Sequence, residues 1–410
     1  MSQQNVIWMI NQTASTPETG YAGRQYYLGL ELAKLGYKVY VIAGSYSHLL
    51  RVPKIFEGDF LTENITPDFD FVWVNIPHYP NSHSKKRIVG EFIFSWKIKE
   101  LKKYIKDKPD IILHSSPPLI SYFGAKYLAS YFNAKYVFEV RDIWPKTLVE
   151  LGGYSLLHPF IQLLQWIEDN SYRSADIVLS NLKNSVEHMV TRGLDREKFL
   201  WIPNGYSQQE VLGKEDLPDE IQLLIPKDKF IIGYAGSIGI ANCLHHLIEV
   251  ANDLKKYENL CFVIVGKGAY KGVLLTKVKE LQLNNVIFID PIPKRQIQSV
   301  LELFDVCYVG LTKDPLFKFG VSPNKLFDYL YAGKPILYAI DSGTYTPVAD
   351  AQAGYQVIPE NTIDLAEKIE KLMSLSSNER ELMGKNARKH AEEFYEYSAI
   401  AKKLANKLFN

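Results

Sequence analysis

The chain has 410 residues, of which 47% are hydrophobic and 23% charged, and its formal net charge is +1. This length predicts two or three domains. The charge balance shows neither the basic excess that would indicate a nucleic-acid-binding protein nor the acidic excess that would indicate a disordered one.

The first half of the chain alternates short apolar runs with longer segments of helical periodicity. Near-continuous apolar strands separated by helices are typical of a parallel sheet that is covered on both faces. The predicted strands are residues 6–10, 38–43, 71–75, 110–114, 135–140, 176–180 and 199–202.

A polar stretch rich in Pro, Gly and acidic residues interrupts this pattern, which then resumes at Lys229. The predicted strands of the second half are residues 230–235, 260–265, 286–289, 306–310, 335–339 and 356–358. We therefore predict an α/β protein with two doubly wound, Rossmann-like domains, 1–203 and 229–390, joined by a linker at 204–228. The remaining segment, 391–410, is predicted to form a helix that could pack back on the N-terminal domain.

Ligands of open α/β sheets bind beyond the carboxyl ends of the strands, so two such domains facing each other would hold a ligand in the cleft between them. Gly20 and Gly23 lie in such a position, between the first strand and a helix that starts near Arg24. Glycines there let the backbone approach a ligand, although a flexible connection is the alternative. Their spacing is not the G-x-G-x-x-G fingerprint, which argues against an NAD-dependent oxidoreductase.

Three polar residues, His114, Ser115 and Ser116, follow the strand at 110–114 and precede two prolines. The histidine could orient a sugar hydroxyl or act as an acid or base near neutral pH. The alternative is a structural histidine that is satisfied by a backbone carbonyl.

A charge cluster, Glu139, Arg141 and Asp142, ends the strand at 135–140, where a buried strand should be apolar. Such charges persist when they contact a ligand or when they pair with one another. A pair between Arg141 and a carboxylate that only fixes the loop is therefore the alternative interpretation.

Two glycine-rich loops follow the first two strands of the second domain. Small residues before a helix suit backbone contact with a phosphate or a sugar, and the first loop has them at Gly236, Ser237 and Gly239. The second loop places Lys267 between two glycines, where a flat base could lie.

The segment from Phe317 to Leu337 carries the strongest signal. Backbone N–H groups at the start of a predicted helix attract an anion, to which Lys325 adds a positive charge. Asp328 lies one turn further along, where a carboxylate can accept hydrogen bonds from two ribose hydroxyls. A ligand with a diphosphate next to a ribose is a nucleotide sugar. The alternative interpretation is that Lys325 and Asp328 form an ion pair on the surface of an amphipathic helix. The residues of the helix start are Gly320, Val321 and Ser322.

The compartment follows from the cysteines and from the absence of targeting signals. An odd number of cysteines, three, fits a reducing compartment rather than a disulfide framework. The N-terminus lacks a basic region and a long apolar run, and no stretch of about 18 apolar residues could span a bilayer. We expect a cytoplasmic protein.

Segment 85–108 contains nine Lys or Arg residues against three acidic ones. Its apolar residues fall on one helical face, so it is either a basic amphipathic helix on anionic lipid or a core-facing helix with a solvated basic side. His78 and Tyr79, which follow the strand at 71–75, form the candidate acceptor loop just before it.

These motifs together resemble the retaining glycosyltransferases of family 4, which have the two-domain GT-B architecture. The subgroup that the chain resembles is the L-fucosamine-type transferases of O-antigen and capsule synthesis. The resemblance covers essentially the whole chain and rests on these motifs in the family's order: "GYAGRQYYLGLELAKLGYKV", "SSPP", "FEVRDIWP", "IPNG", "GYAGSIG", "VGKG" and "SPNKLFDYLYAGKP".

The resemblance implies that a sugar moves from a UDP-sugar to a saccharide on polyprenyl diphosphate, with no metal or other cofactor. The donor would contact Gly20, Gly23, Gly236, Ser237, Gly239, Lys267, Gly320, Val321, Ser322, Lys325 and Asp328. The catalytic candidates are His114, Glu139, Arg141 and Asp142, and the acceptor candidates are His78, Tyr79, Ser115 and Ser116. The "DFD" at 68–70 precedes a strand, and we interpret it as structural rather than as a D-x-D metal site.

Two features depart from the family pattern. Many members carry a glutamate eight residues before the ribose-binding acid, where this chain has Gly320. Many also place an Arg and a Lys after the first strand of the second domain, where this chain reads "GSIGIAN". Gly320 in place of the glutamate favours one alternative, a non-catalytic sugar-nucleotide-binding partner. A UDP-sugar 2-epimerase, which has the same architecture, is another.

Overall fold

The computed structural model describes residues 4–20, 23–81 and 84–409. The chain divides into two compact units, of which the first comprises Met1–Pro203 with Tyr397–Asn410 and the second Asn204–Glu396. The segment that was predicted as a linker, 204–228, thus belongs to the second unit.

The first unit is built on an eight-stranded sheet with the order β3-β4-β2-β1-β5-β6-β7-β8. All neighbouring strands are parallel except the edge pair β3 and β4. The strands are β1 (Val6–Ile10), β2 (Lys38–Gly44), β3 (Phe60–Thr66), β4 (Phe69–Val74), β5 (Ile111–Ser116), β6 (Lys135–Val140), β7 (Ile177–Ser180) and β8 (Phe199–Trp201).

Apolar side chains of the central strands are buried on both faces of this sheet. In β1, Trp8 and Ile10 belong to one hydrophobic core, while Ile7 and Met9 belong to the core on the opposite face. Successive side chains of a strand point to opposite faces, which explains the continuous apolar run. The helices of this unit before residue 203 are α1 (Arg24–Lys34), α2 (Lys85–Lys97), α3 (Leu101–Tyr104), α4 (Tyr122–Phe132), α5 (Lys146–Glu150), α6 (Pro159–Ser174) and α7 (Val186–Thr191).

The second unit contains a six-stranded parallel sheet with the order β11-β10-β9-β12-β13-β14. Its strands are β9 (Phe230–Ala235), β10 (Leu260–Val265), β11 (Val286–Ile289), β12 (Val306–Gly310), β13 (Ile336–Ala339) and β14 (Gly354–Gln356). Its helices are α8 (Gln208–Leu212), α9 (Asp219–Gln222), α10 (Leu244–Asp253), α11 (Lys271–Glu280), α12 (Ile297–Glu302), α13 (Asn324–Ala332), α14 (Pro347–Asp350), α15 (Thr362–Ser374) and α16 (Ser377–Phe394).

The last part of the chain forms two helices where the sequence predicted one. Helix α16 ends at Phe394, and α17 (Tyr397–Phe409) follows after a short break. Helix α17 belongs to the first unit, where Tyr397 stacks on Tyr27 of α1 with ring centroids 5.7 Å apart. None of the helices in the described part of the chain is long and apolar enough to cross a membrane.

Candidate active site

Two glycine-rich loops of the second unit, after β9 and β10, lie directly against each other. A Cβ atom added to Gly266 would lie 1.9 Å from the carbonyl oxygen of Gly236, and one added to Gly268 would lie 2.1 Å from that of Ile238. The backbone N–H of Ile238 also donates to the carbonyl of Lys267 at 2.9 Å. These glycines are therefore needed for close approach of two loops, rather than for the open shelf that the sequence suggested. The side chain of Lys267 is exposed beside them.

The start of α13 is held by a residue from the beginning of the unit. The backbone N–H of Asn204 donates to Ser322 Oγ at 3.0 Å, and Asn204 Nδ2 donates to the Ser322 carbonyl at 2.9 Å. Within the described chain, the backbone N–H groups of Val321 and Ser322 have no hydrogen-bond partner. Both residues precede α13, whose N-cap is Pro323, so these donors lie in the segment that leads into a helix N-terminus, where an anion is favoured.

Gly320, just before these donors, has φ 94°, a left-handed conformation that favours glycine. A residue with a side chain would be strained there. This backbone conformation accounts for the absence of the family's glutamate at this position.

Lys325 of α13 reaches the carboxyl end of β9. Its Nζ donates to Tyr234 Oη at 2.8 Å, and its Cε lies 3.0 Å from an ideal Cβ at Gly236. No carboxylate pairs with Lys325 among the residues that the structure describes. Burial lowers the pKa of this ammonium group to about 8. The predicted contacts at Gly236 and Lys325 are therefore adjacent, and Lys325 carries a charge without a counterion.

Asp328 pairs with Lys294 and not with Lys325, the partner that the sequence offered as an alternative. Both carboxylate oxygens lie 2.7 Å from Lys294 Nζ. The aspartate side chain is 14% exposed and the lysine side chain 46%. Lys294 was missed because a contact across 34 residues leaves no local pattern in the sequence.

In the first unit, Glu139 forms a buried network with α1. Glu139 Oε1 lies 2.9 Å from Arg24 Nη2, while Oε2 accepts hydrogen bonds from Gln25 and Ser115. Burial by itself would raise the pKa of Glu139, but Arg24 and then Arg141 outweigh this effect and hold the pKa below its usual value. The carboxylate is therefore ionised and tied to α1, and its direct partner is Arg24 rather than Arg141, which the alternative interpretation paired with a carboxylate.

His114 is completely buried, and both of its ring nitrogens have partners. Nδ1 lies 3.1 Å from Tyr136 Oη, and Nε2 lies 2.8 Å from Ser121 Oγ. Burial lowers its pKa to about 3, so it is uncharged at neutral pH. The structure favours the structural interpretation of His114 over an acid–base role. Ser115 and Ser116 are buried as well.

The other predicted residues of the first unit lie in loops at the carboxyl ends of β1 and β6. Gly20 forms an isolated bridge with Leu50, and Gly23 caps α1. Tyr21 and Ala22, between these glycines, lie outside the described residues. Asp142 is exposed and Arg141 is half-buried, with its Nε buried and unpartnered within the described chain.

The described residues of the candidate acceptor loop after β4 present one exposed aromatic ring. His78 stacks on Tyr46 with ring centroids 4.1 Å apart, whereas Tyr79 is buried and its hydroxyl lies 3.0 Å from His48 Nδ1. Ser82 and His83, further along the loop, lie outside the described residues.

Glu91 of α2, which the sequence did not single out, lies near this loop and acts electrostatically on Tyr79. Its Oε1 accepts a hydrogen bond from Arg87 Nε at 3.1 Å. Its Oε2 is buried and unpartnered within the described chain, and burial raises its pKa to about 7. The only sequence signal was the spacing of four between Arg87 and Glu91, which is common on helices.

The "DFD" sequence lies at the start of β4. Asp70 pairs with Lys38 Nζ at 2.7 Å, and Asp68 accepts a hydrogen bond from Gln4. Both aspartates therefore have partners within the first unit, which agrees with a structural role.

Two family models match the chain, one on each unit. Residues 24–210 match Glycosyltransferase Family 4, and residues 218–390 match Glycosyl transferases group 1. The chain belongs to the family 4 glycosyltransferases. The predicted family is confirmed, because the two models together leave only short segments unmatched.

Two relatives of this family 4 member have names that refer to cell-surface polysaccharides. The putative colanic acid biosynthesis glycosyl transferase WcaI of Escherichia coli (strain K12) is 26% identical over 63% of this chain and 64% of its own length. The putative teichuronic acid biosynthesis glycosyltransferase TuaH of Bacillus subtilis (strain 168) is 26% identical over 59% of each chain. The chain thus spans less than two thirds of the length of either relative.

The fold is shared with solved structures. Anabaena Alr3699/HepE, solved in complex with UDP and glucose, superimposes with a TM-score of 0.66 over 99% of both chains at 15% identity. Together with the two parallel-sheet units, this likeness confirms the predicted GT-B fold.

Proposed function

We propose that this protein is a retaining glycosyltransferase of surface polysaccharide biosynthesis, O-antigen or capsule. It moves a sugar, an N-acetylamino sugar, from a UDP-sugar to a saccharide on polyprenyl diphosphate. The observation that carries this proposal is the ammonium group of Lys325, which lies next to Gly236 and has no carboxylate partner among the described residues. It follows the N–H donors of Val321 and Ser322 along the chain.

The charge at this place suits a diphosphate. The dipole of α13 contributes about 0.3–1 kcal/mol for an anion at an exposed helix N-terminus and more at a partly buried one. Lys325 adds a full charge, and desolvation makes that charge interact more strongly with a bound phosphate than it would in water. Asp328, one turn along α13, accepts hydrogen bonds from the ribose hydroxyls. The relatives' names support a polysaccharide product, and the UDP in the HepE complex supports the nucleotide.

In this mechanism the bond between the sugar's anomeric carbon and the diphosphate oxygen breaks while an acceptor hydroxyl attacks from the same face. Retention of configuration is implied by the family. Lys325 and the backbone N–H groups of Val321 and Ser322 stabilise the negative charge that develops on the leaving diphosphate. A phosphate oxygen of that leaving group takes the acceptor's proton, so no fixed protein base is required. This agrees with a buried, uncharged His114.

The acceptor is proposed to bind the first unit at the loop that carries His78. A saccharide on polyprenyl diphosphate lies at a membrane, so we propose that the protein works at the inner face of the cytoplasmic membrane, with segment 85–108 in contact with it.

A thermal-shift panel with UDP, GDP, UDP-sugars and NAD tests the donor. A ligand that binds only the folded protein raises the melting temperature by mass action. We expect UDP compounds to give the largest shift and UDP-N-acetylamino sugars to be consumed when lipid extract supplies an acceptor. A response to GDP or NAD without one to UDP would overturn the donor assignment, and isomers of UDP-GlcNAc formed without acceptor would indicate a 2-epimerase.

Asp328→Ala, with Lys294→Ala as its matched control, locates the ribose contact in the same assay. Both variants remove the ion pair, which is partly exposed and therefore contributes about 1 kcal/mol or less to stability. Only Asp328→Ala removes the carboxylate, so we expect it to weaken UDP binding about tenfold or more while Lys294→Ala has little effect. Equal melting-temperature losses with UDP binding intact in both variants would make Asp328 structural.

A further inference from the structure

Exposed aromatic side chains are concentrated in one region of the first unit. Of the eight Phe, Trp and Tyr side chains that are exposed within the described chain, seven lie between residues 92 and 166. They are Phe92, Trp96, Tyr104, Tyr127, Tyr131, Tyr154 and Trp166, and the eighth is Phe394. Scattered exposed apolar residues are normal, but a concentration of this kind marks an interaction surface.

Most of these side chains lie on one continuous layer of helices. The inward-facing residues of α2, α4 and α6, such as Phe94, Ala125 and Leu164, belong to the same hydrophobic core. At the crossing of α2 and α4, a Cβ on Gly124 would lie 2.3 Å from the Ser95 carbonyl oxygen, so the two helices are in close contact. Phe123 stacks on Trp166 and thereby connects α4 to α6. We call the outward side of these three helices the α2–α4–α6 surface.

Lysines are interleaved with the aromatic rings of this surface. Lys99 Nζ lies 5.0 Å from the ring centroid of Trp96 and 5.5 Å from that of Tyr127. Lys102 Nζ lies 4.7 Å from the Tyr127 centroid and 4.9 Å from that of Tyr131. The ammonium groups thus lie over the rings, and lysine beside exposed aromatic side chains suits the boundary between water and hydrocarbon.

The loop that leads into α6 adds an aliphatic element. Every residue from 151 to 158 is exposed, and Leu156 and Leu157 are 65% and 81% exposed. A leucine side chain left in water forgoes the favourable free energy of burying its apolar surface. Two adjacent leucines at a loop tip are therefore suited to entering an apolar phase.

We propose that the α2–α4–α6 surface and the 151–158 loop dock the protein on an anionic lipid bilayer. Trp and Tyr side chains lie at the headgroup level, Lys99 and Lys102 contact lipid phosphates, and Leu156 and Leu157 enter the acyl boundary. The inference rests on the proposed function only in that a polyprenyl-linked acceptor lies in the same membrane.

The charge pattern favours lipid over a protein partner. Segment 85–108 has nine basic residues against three acidic ones, and one of the acidic residues, Glu91, is buried. Protein interfaces are depleted in lysine, whereas lysine beside Trp and Tyr is typical of residues at a membrane surface. An apolar contact and a basic patch also supply the two signals that stable peripheral binding requires.

Co-sedimentation of the full chain with vesicles tests the proposal. The vesicles contain phosphatidylcholine alone or phosphatidylcholine with phosphatidylglycerol, and no sugar nucleotide is added. We expect the chain to bind the anionic vesicles and this binding to weaken as salt is added. Brominated lipids should quench the tryptophan fluorescence of the unmodified chain, and this quenching should be lost in the double variant Trp96→Phe/Trp166→Phe.

Two double variants and one matched control locate the contact. Lys99→Glu/Lys102→Glu and Leu156→Ser/Leu157→Ser should each lower vesicle binding about tenfold or more. The control, Lys385→Glu/Lys389→Glu, reverses two exposed charges on α16 and should bind like the unmodified chain. The leucine variant changes only exposed side chains, so it tests the proposal even if the lysine variant folds poorly.

Equal binding of both surface variants and the control would overturn the proposal. A second result would also overturn it: the chain does not bind anionic vesicles but self-associates, and the surface variants abolish this self-association. The surface would then be an interface between copies of the chain. Transfer to a short-chain, water-soluble acceptor analogue should persist in the surface variants. If transfer fails while vesicle binding is normal, the proposed function fails and the docking inference survives.

Discussion

Packing alone does not explain the environment of the Lys325 ammonium group. Its ammonium group is partly withdrawn from water, donates to the Tyr234 hydroxyl and has no carboxylate partner in the described chain. Desolvation lowers its pKa to about 8. A charge in this position destabilises the folded protein unless an anion binds beside it, which is why we propose it as part of the diphosphate site.

The affinity for UDP should therefore depend on pH. As pH rises through about 8, the ammonium group loses its proton and binding weakens, although bound diphosphate moves this loss to higher pH by favouring the charged form. Lys325→Met should bind UDP at least about tenfold more weakly, and its affinity should not depend on pH in this range. Titration calorimetry across this pH range measures both effects. A flat profile for the unmodified chain, or unchanged affinity in Lys325→Met, would place the diphosphate elsewhere.

The same lysine affects stability in the opposite direction. Its folded-state pKa lies below the ordinary 10.5, so between about pH 8 and 10.5 the unfolded chain binds more protons. The free energy of unfolding contributed by this group rises with pH across that interval. Lys325→Met should show no such rise and no loss of stability at pH 7, which separates a role in binding from a role in folding.

At the scale of elements, the loops after β9 and β10 behave as one structure. The Gly266 and Gly268 positions approach the backbone of the opposite loop too closely for any side chain. The loop that carries Gly236 is thereby held in place beside Lys325. The N–H groups of Gly236 and Ile238 donate to the carbonyls of Val265 and Lys267, so these contacts fix the loop's conformation before a ligand arrives.

Gly266→Ala should disrupt this arrangement. Its Cβ would lie 1.9 Å from the Gly236 carbonyl oxygen, so we expect a loss of about 2 kcal/mol or more in the free energy of unfolding, together with weaker UDP binding. Gly272→Ala is the control, because a Cβ in this part of α11 meets nothing within 4 Å and alanine favours a helix by about 0.5–1 kcal/mol. Chemical denaturation that finds equal stability for the two variants would contradict the contact between the loops.

At the scale of the whole molecule, the first unit requires both ends of the chain. Helix α17 returns to this unit after nearly 200 residues of the second one and buries Ile400, Leu404 and Leu408 in a core shared with α1 and the sheet. The contact between Tyr37 and Phe409, stacked with centroids 4.7 Å apart, extends this packing almost to the end of the chain.

Leu404→Ala should therefore destabilise the first unit. Truncating a fully buried leucine costs about 2–5 kcal/mol, whereas Leu382→Ala on α16, where the side chain is 59% exposed, should change stability by about 0.5 kcal/mol or less. Hydrogen exchange should rise in residues 1–203 of the Leu404→Ala variant and stay unchanged over most of 204–396. A uniform rise in both units would mean that they unfold as one.

Much of the architecture follows from local patterns. Apolar runs predicted β1, β6 and β9 to β12 with the bounds that the structure has, because a strand that is largely buried on both faces is apolar at most positions. The exception in β6 is Glu139, whose buried charge is paired with Arg24. The family and the fold were likewise predicted from motifs at strand ends. Strand β3 was missed, since it is a polar edge strand that lacks this signal.

The site depended on contacts that no local pattern records. In the first unit, Arg24 and Glu139 are separated by 115 residues along the chain. In the second unit, Asn204 and Ser322 are separated by 118 residues, and Tyr234 and Lys325 by 91. The sequence identified the chemistry of these side chains, because residue type determines charge and hydrogen-bonding capacity. Only the tertiary structure decided which of them are paired, buried or left with an unbalanced charge, since topology brings distant segments together and burial sets the cost of each charge.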